Sequence, residues 1–409
     1  MSENKETVVG LDIGTSNIRV LIGEADREGG DIRIIGAVSH SSRGLRKGEV
    51  VDIKGVLDSL EKAISRAEQD TGREIKSVVA GIGGGNIRGL NSRALIPVAK
   101  PRAGITQKDI TQAITAAQGV TIPREKEAIQ VIPQEFAVDG RDGVHEPLGI
   151  MGSRLEARVH IVTVPLSSVQ NRLKIINQAG LAVDTYILEP LAASLAALRR
   201  EEQQSGVLLL DLGGGTTGYV VFLDDAPRHS AVLGLGGDHL TNDISIGLKL
   251  LQNQAERLKL KFGLSPESTA KDENCSVPGG WGRSDATISR RALARIVELR
   301  MTEIFNQVRR DLEEKNLLQS LGSGVVLTGG GSLMKGMEEL AARTLELPVR
   351  VGGPVEISGL LEIVDSPDYA TAVGLVKYGF QSLACGGLNQ SRNRGWGFNS
   401  LKNFIGRYF

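Results

Sequence analysis

Two stretches of the chain share one pattern: an apolar run, a small Gly-rich polar turn, and a second apolar run. In residues 8–22 the turn is Asp12-Ile13-Gly14-Thr15-Ser16, and 18–22 forms the second arm. In residues 207–222 the first arm leads into Asp211-Leu212-Gly213-Gly214-Gly215-Thr216-Thr217, and 219–222 follows. Each predicts a β-hairpin. A third apolar run, 325–327, passes through Thr328-Gly329-Gly330-Gly331-Ser332 and Leu333-Met334-Lys335-Gly336 into a predicted helix at 337–345. A longer helical stretch is predicted over 289–314, and the end of the chain carries a short amphipathic pattern considered below.

The turns point to anion chemistry. Glycines let successive N–H groups converge on a phosphate, here at Gly14 and at Gly213, Gly214 and Gly215. The hydroxyls of Thr15, Ser16, Thr216 and Thr217 add donors. Asp12 and Asp211 would repel phosphates unless a cation lies between, and Mg²⁺ is usually held through one or two carboxylates plus the substrate's own phosphates. Two facing hairpins would then grip a triphosphate–Mg²⁺ from both sides. The Gly329-Gly330-Gly331 loop can lie flat along a purine and ribose. Any one of these segments is ordinary turn chemistry; the order of all three in one chain is what makes the set specific.

In that order they are similar to the phosphate-1, phosphate-2 and adenosine motifs of the actin superfamily, which includes sugar kinases, heat-shock chaperones, MreB and FtsA. The segment Leu188-Glu189-Pro190-Leu191-Ala192-Ala193-Ser194 looks like the helix preceding phosphate 2. Residues 368–375 look like the helix closing the first domain, and 255–259 like the helix whose Glu and Lys reach ribose and adenine. Residues 233–244 and 131–139 resemble the FtsA family more closely than its relatives.

That resemblance implies an α/β, actin-like (ribonuclease H-like) two-domain fold with an FtsA-type 1C subdomain and a C-terminal amphipathic helix. The implied boundaries are 1–84, 163–192 and 360–385 for subdomain 1A, with 85–162 as 1C. Subdomain 2A takes 193–236 and 309–359, and 2B takes 237–308. A linker at 386–395 and a membrane-targeting helix at 396–409 complete the chain. The resemblance further implies ATP and Mg²⁺ as ligands, with Glu256, Lys259, Gly329, Gly330, Gly331 and Met334 at the adenosine and Asp12 and Asp211 near the metal. Glu189 is the candidate for positioning an attacking water; its alternative is a helix-start carboxylate complementing the dipole. An ATP-dependent scaffold with at most weak ATPase activity is expected. The implied partners are the C-terminal peptide of FtsZ through 2B, further copies of the chain in protofilaments, and later divisome proteins. Arg290 and Arg300 are the candidate contacts for an acidic peptide, although charge on a helix is usually a solvated face.

Composition narrows the field. The 409 residues exceed one typical domain, and 41% apolar with 23% charged content is ordinary for a globular protein. Lys plus Arg equals Asp plus Glu, so no global field recruits nucleic acid. Cys275 and Cys385 lack metal-ligand spacing, and the five histidines show neither metal nor triad spacing. The polar N-terminus lacks a signal-peptide pattern, and no apolar run approaches the ~18–20 residues of a membrane span. A cytoplasmic body is expected.

The tail changes character. Residues 386–394 are polar and Gly-rich, as in a linker. Beyond Trp396, at 100° per residue, Phe398, Leu401, Phe404, Ile405, Tyr408 and Phe409 fall within an arc of about 140°. Lys402 sits at its edge and Arg407 opposite. From Gly386 onward the charges are Arg392, Arg394, Lys402 and Arg407, with no acid. Many such helices pack on their own core. A preceding linker and crowded aromatics favour a helix lying in the membrane interface; the FtsA resemblance implies the inner face of the cell membrane, with enrichment at the septum. One short anchor binds weakly, so avidity in a polymer would hold it there. Two other readings share most of the motifs: a PilM-like cytoplasmic component of type IV pilus assembly, which needs no terminal membrane helix, and a small-molecule kinase, for which no acceptor pocket is evident.

Overall fold

The computed structural model describes residues 5–26, 31–85, 87–263, 274–277 and 286–384. The linker and membrane-helix residues expected at the C-terminus lie outside them.

The first predicted hairpin forms from Lys5–Ile13 and Asn17–Asp26, paired antiparallel from Lys5↔Asp26 to Ile13↔Ile18. Its near-continuous apolar arms are buried on both faces: Leu11, Ile13, Ile18, Val20, Leu21 and Ile22 are all closed to solvent. It sits inside a six-stranded sheet in the order Ala182–Leu188, Ser77–Ile82, Lys5–Ile13, Asn17–Asp26, Arg33–Ser41, Ser358–Gly359. The second hairpin, Val207–Leu212 with Thr217–Leu223, occupies the same place in a second sheet. There the order runs Val349–Val351, Val325–Thr328, Val207–Leu212, Thr217–Leu223, Ala226–Leu233. In both sheets two parallel pairings on one side give way to an antiparallel meander on the other. One five-strand plan is thus used twice, as the repeated sequence pattern predicts.

The helices expected from sequence are present: Glu189–Ala197, Gln252–Phe262, Arg290–Glu314, Met337–Leu345 and Ala370–Ala384. Pro190 stands in the first turn of its helix, where no N–H is needed. Ser289 caps Arg290–Glu314 by accepting from the Ala292 N–H.

Residues 88–165 make a separate unit, with its own apolar cluster around Ile110, Ile114, Phe136, Leu155 and Ile161. Its strands Arg88–Pro97, Arg154–Pro165, Lys126–Val138 and Arg141–Val144 extend the second sheet to nine strands. The join is narrow, through Ala231↔Arg88 and the Val232 N–H donating to the Ile87 carbonyl. Polar side chains fill the seam. His160 bonds Asn91 Oδ1 (2.7 Å) and Ser230 Oγ (2.8 Å), and Gln134 donates to the Pro227 carbonyl (2.7 Å). Burial holds the His160 imidazole down to about 3, so it is neutral there.

The helices Glu189–Ala197 and Ala370–Ala384 cross at backbone contact. A Cβ built on Gly374 would lie 1.7 Å from the Ala192 carbonyl oxygen and 2.3 Å from its carbon. Backbone on both sides leaves nothing that can rotate away. Gly374→Ala is therefore expected to cost at least about 3 kcal/mol, measurable as a lowered urea midpoint at unchanged slope. A midpoint equal to the parent's would mean that the helices separate freely.

Candidate functional site

Both hairpins close through the same turn. The Gly14 N–H donates to the Asn17 carbonyl (3.0 Å), and the Gly213 N–H to the Thr216 carbonyl (2.9 Å). The turns then face each other across the two halves of the molecule. A Cβ on Gly214 would fall 2.0 Å from Ser16 Oγ, and one on Gly215 would fall 2.3 Å from Thr15 Oγ1. Only bare glycine backbone fits that closely. Gly14, Thr15, Ser16, Gly213, Gly214, Gly215, Thr216 and Thr217 thus share one locus. Thr217 lies deepest, fully buried with its hydroxyl donating to the Leu235 carbonyl (2.9 Å).

Each hairpin brings a carboxylate to this locus. Asp12 is 6% exposed and lies 3.8 Å from Arg19, whose other nitrogen pairs with Asp368 at 2.7 Å. Burial lifts Asp12 to about 6; Arg19 opposes the rise and the nearby Asp211 charge reinforces it. Asp211 is raised by burial too, against a hydrogen bond from Thr371 Oγ1 (3.0 Å). Glu189, the first residue of its helix, lies over Gly83, where a Cβ would fall 1.9 Å from its Oε2. Its Oε1 is sealed from solvent and has no hydrogen-bond partner. Burial, reinforced by Asp12, pushes this carboxyl up to about 8. Three carboxyl groups are thus held above their ordinary range, one with an orphaned oxygen, and they do not converge as a direct three-ligand metal site among the described residues.

The expected adenosine elements adjoin the second turn. Gly329 has φ 77°, and a Cβ there would lie 2.3 Å from Asp211 Oδ1; one on Gly331 would meet the Leu212 carbonyl at 2.9 Å. Gly330 follows in the short 3₁₀ turn Gly330–Leu333, and Met334, half-buried, ends it. A Cβ built on Gly263, at the end of Gln252–Phe262, would lie 3.2 Å from the Lys335 backbone nitrogen, so helix and loop are neighbours. On that helix Lys259 pairs with Glu256 (2.8 Å) and donates to Thr241 Oγ1 (2.9 Å). The helix Gly237–Gly247 links them to the turn: the Gly237 and Asp238 N–H groups donate to the Gly213 and Gly214 carbonyls (3.0 and 2.7 Å).

The other named arginines lie elsewhere. Arg300 holds Asp243 through two nitrogens (2.5 and 3.0 Å) and also pairs with Glu303 at 2.6 Å. Arg290 lies over the Phe262 ring at 5.4 Å. An acidic peptide reaching Arg300 has to displace Asp243. A groove of about 1590 Å³ is lined by Glu6, Asp26, Asp225 and Lys377 among others and includes none of the site residues described in this section.

Sequence reasoning missed Arg19, Glu49 and Arg172. Arg172 is 1% exposed on the helix Leu166–Gln178 and donates to the Gly48 carbonyl (2.7 Å). Glu49 accepts from Ser168 Oγ (2.7 Å) and abuts Gly84. Only the apolar run 77–82 ending in Gly83-Gly84-Gly85 hints that something packs there.

The family model "Cell division protein FtsA" matches residues 208–374, and "SHS2 domain inserted in FTSA" matches 84–163, the unit that extends the second sheet. Cell division protein FtsA of Pseudomonas aeruginosa is 39% identical over 94% of this chain and 92% of its own length. That of Escherichia coli K12 is 34% identical over 93% and 91%. Among solved structures, a PilM–PilN type IV pilus biogenesis complex superposes with TM-score 0.63 at 20% identity, over 91% of this chain and 98% of the other. MreB5 of Spiroplasma citri bound to ADP gives 0.56 at 14%, over 93% and 98%. At such identities the likeness is one of fold, and the fold is actin-like. With sequence relatives that run nearly end to end and an inserted unit matched by its own model, the chain belongs to the FtsA family of cell division proteins.

Proposed function

We propose that the chain binds ATP with Mg²⁺ between its two hairpin turns, assembles head to tail in that state, and tethers FtsZ filaments to the cytoplasmic membrane through residues 396–409. The observation that carries this reading is the close approach of the turns, with Asp12 and Asp211 both raised by burial and Asp12 further by the Asp211 charge. Asp12 and Asp211 would hold Mg²⁺, mostly through its waters, and the metal would neutralise phosphate charge. Bound nucleotide draws the halves together because each contributes one set of phosphate donors. Closed copies then present the heterologous surfaces that open filaments require. The basic, aromatic tail supplies weak attachment that assembly multiplies. Recruitment of later division proteins belongs to the 84–163 unit on this reading, and the helices around Arg290 and Arg300 to the FtsZ peptide.

Liposome co-sedimentation with ATP and Mg²⁺ tests it, comparing the full chain with one ending at Leu388. The full chain is expected to pellet with anionic vesicles and the shortened one to stay in solution. If both stay in solution on anionic and neutral lipid, the tail is not an anchor and a pilus-type component becomes the better reading.

A further inference from the structure

We infer that the hairpin tip Lys47-Gly48 is a third phosphate-holding element, in which the Lys47 ammonium takes the terminal phosphate of the bound nucleoside triphosphate; this rests on the nucleotide reading above. Leu45 pairs with Val50 and Arg46 with Glu49, leaving Lys47 and Gly48 as a two-residue turn. Both have positive φ, 53° and 73°. A turn of this kind favours Asn, Asp or Gly at its first position, since glycine has no Cβ to crowd the next carbonyl and the short polar side chain of Asn or Asp offsets that crowding by hydrogen-bonding locally. Lysine stands at that position against the local preference. A task for its ammonium accounts for the choice.

The tip is wedged where the two halves meet. The Gly48 N–H donates to Thr15 Oγ1 (3.1 Å), which leaves the Thr15 proton to donate elsewhere. A Cβ on Gly48 would lie 3.0 Å from both the Gly84 backbone and Thr216 Cγ2. The Lys47 stem crosses to the other half, with Cδ 3.6 Å from a Cβ built on Gly234. Arg172, buried beneath, holds the Gly48 carbonyl while its Nε and Nη1 have no partner. It is a positioning residue, and the Ser168–Glu49 bond braces the tip beside it.

Charge accounting singles out Lys47 among the cations around the turns. Arg19 is committed to Asp368 and Asp12, Lys259 to Glu256, and Arg172 is shut inside. Lys47 is exposed and has no hydrogen bond or ion pair among the described residues. Position then selects the phosphate. Gly329 and Gly331 touch Asp211 and Leu212, whereas the tip touches Thr15, Thr216, Gly84 and Gly234. A nucleotide with its base on the Gly329–Gly331 side reaches the tip with its last phosphate. ATP and ADP are thereby told apart.

Lys47→Asn is the decisive variant, because asparagine suits the turn and removes the ammonium. Titration of fluorescent ATP and ADP analogues with Mg²⁺ is expected to show ATP affinity reduced about tenfold, ADP affinity near the parent's, and an unchanged or higher melting temperature. Lys47→Arg should restore most of the ATP preference. A Lys47→Asn protein with the parent's ATP-to-ADP affinity ratio overturns the inference while leaving the nucleotide site standing. A parent that binds neither nucleotide overturns both.

Discussion

Gly215→Ala is expected to lower ATP affinity at least about 100-fold while leaving the melting temperature of the nucleotide-free protein close to the parent's. The added methyl meets the whole Thr15 side chain: Oγ1 at 2.3 Å, Cβ at 2.9 Å and Cγ2 at 3.0 Å. No rotation about χ1 clears all three, so the two turns must part by an ångström or more. Donors that converge on a phosphate lose most of their value at such a displacement, because charge-assisted hydrogen bonds weaken steeply outside their narrow distance range. Gly214→Ala is the internal control. Its methyl meets the Ser16 Oγ at 2.0 Å but the Ser16 Cβ at 3.2 Å, so a rotated hydroxyl relieves most of the clash. Its loss should stay within about tenfold. Isothermal titration of both variants with ATP and Mg²⁺ checks the ranking. Equal and small losses would mean that the turns do not act on one ligand together.

The parts of the site legible in sequence are those made by contiguous residues. Each turn announces itself through glycines between apolar runs, and Glu189-Pro190 marks a helix start by local chemistry alone. The equivalence of the two sheets could be anticipated for the same reason, since the hairpins are its central strands. The braces were not legible. Arg172 lies 124 positions from Gly48, and Ser168 lies 119 from Glu49. In its own helix Arg172 reads as one more solvated charge, and only the tertiary fold turns it inward. The histidines show the same limit. His160 and His229 have no spacing that suggests a role, yet His160 fills the seam between sheet units, and His229 shares Asp311 with Tyr219 (2.5 and 2.7 Å). Burial opposes Asp311's charge, but the bonds from His229 and Tyr219 hold its carboxyl down to about 2. The family resemblance implies bounds for an inserted unit but not its neighbour in the sheet. That residues 88–165 extend the second sheet follows from one narrow strand contact, which no local pattern encodes.

Glu189→Gln is expected to stabilise the nucleotide-free protein by an amount that grows with pH. In the folded chain burial and the Asp12 charge raise the Glu189 carboxyl from 4.5 to about 8. Between those values the folded state holds a proton that the unfolded state has released. Stability therefore falls as pH rises through that window and levels off above it. Glutamine carries no such proton and follows no such slope. Asp12 and Asp211 are also raised and add a fall of the same sign, but it is common to both proteins. The difference in melting temperature should be near zero at pH 5 and reach several degrees, about 2–5 °C, by pH 8.5. An offset that does not change with pH would mean that the carboxyl ionises as freely in the folded chain as in the unfolded one. The same variant separates the two roles open to Glu189. A residue that positions the attacking water loses ATP turnover at nearly unchanged ATP affinity, because the interaction is used in the transition state. A carboxylate that only complements its helix dipole leaves turnover untouched, since the Glu189 side chain then makes no contact with the reacting water.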